Sequence, residues 1–176
     1  MNAYFQAKPS SEISVELPAG RIEYGERWVT SERIALSGHE CFIRGRFDTV
    51  LAFSDGSYGV VDFKTTQPSQ SHVPFYSRQL HAYAYALEHP ASGGFQLHPI
   101  THLGLFCVDP SAMERLPDGQ IAYLGEPTWL EIPKDEQQFL GFIGDVMTLL
   151  AQADPPPANP ECGYCRYRDQ ARGNVW

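Results

Sequence analysis

The chain has 176 residues, 13 basic against 21 acidic for a net charge of −8, with 43% apolar and 19% charged residues. That length suits one domain with a sizeable core, and the composition is globular rather than disordered. The acidic balance argues against a protein that simply coats nucleic acid, while leaving room for an enzyme whose contact with a polymer is local and metal-assisted.

Residues 1–20 are polar and carry Pro9 and Pro18, so an irregular segment is expected there, with no basic stretch leading into an apolar one as a secretory signal would have. Arg21 to Glu32 alternates loosely through Ile22, Tyr24 and Trp28. It reads as one or two strands at a sheet edge, or as a loop packed by its aromatics, with Trp28 taken as packing. Glu40 to Phe53 is rich in β-formers. Ser54-Asp55-Gly56-Ser57 is a turn signal, and Tyr58 to Phe63 reads as the return strand.

The register of that hairpin decides its chemistry. A two-residue turn on Asp55-Gly56 would set Asp48 opposite Phe63 and turn Asp48 and Asp62 to opposite faces. A three-residue loop with Gly56 left-handed would pair Asp48 with Asp62 and put both carboxylates on one face. Asp62 and Lys64, two apart on a strand, share a face with Val60, while Val61 and Phe63 face the other way.

Residues 65–74 have loop composition, and Phe75 to Glu88 reads as a helix with Leu80, Ala84 and Leu87 on one stripe. Gln79 and Tyr83, at i and i+4, stack on one side of it. His81 is expected on the exposed or groove side, and His72 and His81 would flank the site. Pro99 to Val108 reads as a nearly continuously apolar, central strand. Asp109 to Gly119 reads as a turn region, and Gln120 to Ile132 as one or two strands broken near Gly125 to Pro127. Asp135 to Ala153 has helical spacing through Phe139, Phe142, Ile143, Val146, Leu149 and Leu150. A proline-rich linker then leads to Cys162-Gly-Tyr-Cys165. The pattern is α/β or α+β: a central mixed sheet flanked by helices over 21–153, after an irregular 1–20 and before a 154–176 linker and tail. The longest apolar runs fall far short of the roughly 20 residues a bilayer span needs, and the thiol pattern is an intracellular one. A cytoplasmic location without membrane contact is expected.

Two carboxylates, Asp48 and Asp62, and the ammonium of Lys64 on a twisted sheet suit a divalent metal and a phosphodiester. The blander alternative is a strand end emerging into solvent. Mg²⁺ or Mn²⁺ would take Asp48, Asp62 and the Phe63 backbone carbonyl, and Lys64 would hold water or stabilise charge on phosphorus. Gln79 and Tyr83 would orient the strand or the lysine, and Tyr83 could stack on a base. Arg44, Arg46, Lys64 and Arg78 form a basic group around this centre, with Arg46 and Arg78 suited to phosphate.

Gly45-Arg-Phe-Asp48, Asp62-Phe63-Lys64 and Gln79-x-x-x-Tyr83, in this order and spacing, resemble the PD-(D/E)XK nuclease superfamily. The similarity is nearest to its RecB-like exonuclease branch, which includes nucleases of CRISPR spacer acquisition. It covers about residues 43–88. It implies a restriction-endonuclease-like core and a metal-dependent DNA exonuclease preferring single strands or ends. Protein partners in DNA repair or CRISPR adaptation are implied as well. The alternative is a non-cleaving nucleic-acid-binding or assembly module of the same fold. Members of the family carry a helix before the first aspartate, often with a Glu or His that completes the metal site. Nothing in residues 1–20 reads as that helix, and His39 falls on the strand side. Many RecB-like relatives hold a [4Fe–4S] cluster through an upstream Cys and a C-terminal Cys-x2-Cys-x5-Cys. Here Cys162 and Cys165 match the first two of that trio, and Ala171 stands at the third. Zinc is the other metal such a pair suggests.

Overall fold

In the computed structural model, which describes residues 6–36, 38–67 and 73–173, the loop between the two aspartate strands has three residues. Phe53 and Ser57 close it through Phe53 N–H to Ser57 O at 2.9 Å, and Gly56 N–H donates to Phe53 O at 3.2 Å. Gly56 sits at φ +85°, a conformation in which a side chain would clash with the backbone. Asp55 locks the far side of the turn: its Oδ1 accepts from Ser57 N–H at 2.9 Å and Ser57 Oγ–H at 2.7 Å. The odd loop carries through the ladder as Ala52 opposite Tyr58, Val50 opposite Val60 and Thr49 opposite Val61.

In chain order the strands are β1 (Arg21–Tyr24), β2 (Arg27–Thr30), β3 (Ile34–Leu36), β4 (His39–Cys41), β5 (Arg44–Phe47), β6 (Thr49–Ala52), β7 (Tyr58–Lys64), β8 (Ile100–Arg115) and β9 (Ile121–Ile132). Helix α1 (Val73–Glu88) links β7 to β8, and α2 (Glu136–Leu150) and α3 (Gly163–Gly173) follow. The central sheet has the order β1-β6-β7-β8-β9. Only β7 and β8 run parallel, joined by the crossover through α1. Two short ribbons, β2 with β5 and β3 with β4, stand outside it. This is the mixed α+β arrangement expected.

The alternation of β7 divides the core. Val60 joins Phe47, Val50, Leu80, Ala84, Leu87 and Leu103 under α1, whereas Val61 meets Leu17, Ile22, Leu51 and Phe106 on the other face. Over residues 6–20 the chain makes a 3-10 turn at Ser10–Glu12 and is pinned down. Ser10 Oγ–H donates to Pro18 O at 2.8 Å and accepts from Gly20 N–H at 3.0 Å.

Four expectations need correction. Asp109 to Arg115 is not a turn but a continuation of β8, whose polar composition hides a strand projecting past the core. The turn is confined to residues 116–120, closed by Leu116 N–H to Gln120 O at 2.8 Å. The chain also does not break at Gly125 to Pro127: β9 runs through them because it lies at the sheet edge, where a missing N–H costs no ladder bond. His81 does lie on a groove, the one between α1 and α2, but buried in its wall rather than exposed. Its Nε2 accepts from Asp135 N–H at 2.8 Å while Nδ1 lies 2.7 Å from Ser77 O, so the partners assign the proton to Nδ1. The ring lies against Phe139 of α2, and a histidine that joins two helices belongs in their interface. Finally, Trp28 does not pack: it is 61% exposed.

The end of α1 is tied to β8 by Glu88, a buried carboxylate that accepts from Ile100 N–H at 2.8 Å and from the Lys134 ammonium at 2.6 Å. The tail holds one element that composition did not reveal, α3, after an extended proline-rich stretch. No helix among the described residues is long and apolar enough to cross a membrane. Replacing Gly56 with Ala is expected to cost about 1–2 kcal/mol by forcing a side chain into the left-handed region. Thermal or urea denaturation of Gly56→Ala against the parent protein measures it.

Candidate active site

Asp48 lies at the bend where β5 passes into β6. Continuing the β6–β7 register by one residue places it opposite Asp62, and opposed residues share a face. The two carboxylates therefore stand together. Asp62 is buried, so this part of the strand does not emerge into solvent as the blander alternative had it. Asp48 Oδ2 also accepts from the backbone N–H of Phe63 at 3.1 Å, which ties the bend to β7.

Asp62 is 2% exposed. Its Oδ2 makes no well-formed hydrogen bond; the Lys64 ammonium lies 2.5 Å away as an ion pair. Burial pushes the Asp62 carboxyl above the usual carboxylate range, the Asp48 charge adds to this, and Lys64 opposes it. Burial alone would draw the Lys64 ammonium down, but the ion pair with Asp62 outweighs it and the net direction is upward.

Helix α1 closes the site from one side. Gln79 Nε2 donates to the Tyr83 hydroxyl at 2.9 Å. The Tyr83 ring lies so close to Gly45 that a Cβ there would come within 2.7 Å of it. The glycine three residues before Asp48 thus exists to admit the helix tyrosine. Tyr76 completes this side, its ring 4.9 Å from Lys64 Nζ. It escaped the sequence reading although the signal was present: Tyr76, Gln79 and Tyr83 fall at i, i+3 and i+7 on one helical stripe.

Two predicted residues stand apart. Arg78 projects toward α2, its guanidinium 4.2 Å from the Phe142 ring, in a groove shared with Ser77, His81 and Gln138. Arg46 is on the side of β5 opposite Gly45, paired with Glu26 at 3.2 Å. His72 lies outside the described residues. Before Asp48 the described residues contain no α-helix, and His39 is exposed on β4.

The donor set suits a hard divalent cation. It offers two carboxylates, one of them buried and paired with the Lys64 ammonium, and Mg²⁺-like ions are commonly held by one or two carboxylates and complete their shell with water and phosphate. No group of three or more His, Cys, Asp or Glu side chains gathers among the described residues, so this centre rests on two carboxylates. The cysteines do not fit an iron–sulfur cluster. Cys107 is buried in β8, and Cys41 packs beside Ile34, Tyr85 and Phe139. Cys162 and Cys165 are at the start of α3, where hydrogen bonds from Cys165 and Tyr164 hold the Cys162 thiol below its usual range. Four thiolates do not meet.

A mixed sheet with paired carboxylates and a lysine at adjoining strand ends, covered by one crossover helix, is a restriction-endonuclease-like arrangement. The family model of the PD-(D/E)XK nuclease superfamily matches residues 2–170. The chain belongs to that superfamily, one of metal-dependent nucleases. Among solved structures, one titled "Crystal structure of SSO0001" is similar at 21% identity and a TM-score of 0.42, over 84% of this chain and 60% of that one. The chain therefore spans about 60% of the length of that structure. No curated protein matches.

Burial and the Asp48 charge outweigh the Lys64 pairing at Asp62, so that its ionised form is disfavoured overall, and neutralising it without changing its shape relieves the fold. Asp62→Asn is expected to raise metal-free stability by about 1 kcal/mol, read as a higher denaturation midpoint in the presence of chelator.

Proposed function

We infer that the chain hydrolyses phosphodiester bonds of DNA with Mg²⁺ or Mn²⁺, as an exonuclease acting on single strands or free ends. The observation that carries this reading is the register that sets Asp48 and Asp62 on one face. The resemblance of the three motifs to the RecB-like branch supports the exonuclease mode. When bound, the cation neutralises phosphate charge and makes a coordinated water nucleophilic at neutral pH.

Asp48 and Asp62 hold the cation, with the Phe63 carbonyl as a third donor. As the water oxygen bonds to phosphorus it gives up a proton to solvent, the P–O ester bond breaks, and the leaving oxygen takes up a proton from solvent; negative charge grows on the phosphate oxygens meanwhile, and Lys64 is placed to stabilise it. Lys64 is held ready by its pairing with Asp62 and by the face of Tyr76. Gln79 fixes the Tyr83 hydroxyl, and Tyr83 against Gly45 fixes the spacing of α1 from the Asp48 bend. Tyr83, half-buried against Gly45, serves to position α1, and a base that enters the site could stack on its ring. Arg46 and Arg78, outside the centre, contact backbone phosphates of the strand.

A second reading is a module that binds nucleic acid without cutting it. It is favoured by the absence of a third acidic side chain beside Asp48 and Asp62 among the described residues. The two separate in one assay: degradation of end-labelled single-stranded and duplex DNA with Mn²⁺, Mg²⁺ or chelator. The nuclease reading expects metal-dependent shortening from the ends, lost by about 10²–10³-fold in Lys64→Ala, the magnitude of removing a transition-state charge stabiliser, and lost in Asp62→Ala with the cation it holds. DNA binding with no turnover in excess metal would establish the second reading instead.

A further inference from the structure

The ribbon of β2 and β5 presents two different faces. On one, Val29, Gly45 and Phe47 turn inward, with Val29 and Phe47 buried in the core under α1. On the other, Trp28 stands directly opposite Arg46, and Arg44 is its diagonal neighbour, with the guanidinium 5.3 Å from the indole ring. Trp28 is 61% exposed and Phe42, two residues before β5, is 59% exposed. Beyond them the face continues into an open groove lined by Thr30, Glu32, Arg33 and Phe42.

An indole left in water beside two arginines is not explained by packing, since the core is complete on the opposite face of the same ribbon. We propose that this outer face is a binding platform for single-stranded nucleic acid, with a base stacked on Trp28 and backbone phosphates held by Arg44 and Arg46. Charge complementarity selects this occupant. The chain carries −8 overall, yet here two arginines flank one exposed aromatic, and Arg46 is opposed by a single surface pairing to Glu26 at 3.2 Å. Such exposed pairs are weak, so a phosphate can displace the carboxylate. Aromatic faces accept any base and arginines follow the backbone, a combination suited to strands without sequence preference.

Position supports the same occupant. Strand β5 runs straight into Asp48, and Arg46 precedes Asp48 by two residues, about 7 Å of extended chain. The platform and the carboxylate pair are thereby neighbours in the chain, with the bend at Asp48 between the outer face of the ribbon and the side of Gly45 and Tyr83. A duplex has its bases stacked on one another and offers no free base face to Trp28, so the platform discriminates in favour of single strands. This inference rests on the nuclease reading for its purpose, but not for its test.

The test is binding of a fluorescein-labelled oligothymidylate and of a labelled duplex, measured by anisotropy in chelator, for the parent chain, Trp28→Ala, Trp28→Phe and Arg44→Ala. Alanine at 28 should weaken single-strand binding by roughly ten- to a hundred-fold, with Phe retaining most of the affinity and duplex binding unchanged. Because Trp28 is exposed, unchanged thermal denaturation should accompany the loss. Equal oligothymidylate affinity in Trp28→Ala and the parent chain, or no single-strand binding by the parent chain, overturns the proposal. Self-association abolished by Trp28→Ala without effect on oligothymidylate would assign the face to a second copy and overturn it too. Cleavage assayed on the same preparations keeps the two readings apart. A chain that cuts DNA but ignores Trp28 loses only the platform, and one that binds through Trp28 without cutting loses only the nuclease.

Discussion

The candidate centre depends on a parity constraint in one hairpin. Because side chains alternate along a strand, adding or removing one residue in the loop at 54–56 would turn either Asp48 or Asp62 to the far side of the sheet. Gly56 in the left-handed region and Asp55 bonded twice to Ser57 fix the loop at three residues. The bond from Phe63 N–H to Asp48 then carries the alignment past the last paired residues of β6. The chemistry and the fold therefore share one determinant, and the buried, electrostatically unfavourable Asp62 is tolerated because the rest of that hairpin holds it in place.

Around this hairpin, α1 acts as the common brace. Leu80, Ala84 and Leu87 bury one face of it against the sheet, while Gln79 and Tyr83 meet the site. His81 joins it to the start of α2, and Glu88 joins its end to β8 and Lys134. The buried imidazole of His81 and the buried carboxylate of Glu88 both have partners, so the helix can lie between sheet and second helix without the cost of leaving those groups unmet. Its placement relative to Asp48 is set by a steric contact, the Tyr83 ring against Gly45, rather than by charge.

Much of this was legible in the sequence because it follows from local rules. Asp55-Gly56 marked the turn, the alternation of Val60, Val61, Asp62, Phe63 and Lys64 marked the two faces, and the apolar stripe marked α1. The two possible loop lengths could be enumerated, and the requirement that both carboxylates meet one ion selected the observed one. What escaped depends on the surroundings of a residue. The outer half of β8 has no core to cover and so shows no apolar alternation. His81 looked solvated because its partners, Ser77 O and Asp135 N–H, are backbone groups that leave no mark in composition. Trp28 looked like packing because exposure is a property of the ribbon and not of the residue. Tyr76 could have been found from its spacing to Gln79 and Tyr83, had the helix been read as a face rather than as two positions.

The long outer strand β9 has a further consequence. From Ile121 to Ile132 it presents an open edge, and its neighbour β8 carries the exposed Met113 beside Tyr123. Such an edge is a template on which another chain can add as a strand and from which ordered aggregates can grow. Pro127 interrupts it near the middle, where the backbone has no N–H to offer, and Gly125 lies directly across from Pro110. A foreign strand can pair with one half of the edge but cannot zip along its whole length. The proline that obscured β9 in the sequence thus limits how far so long an edge can be extended by another strand.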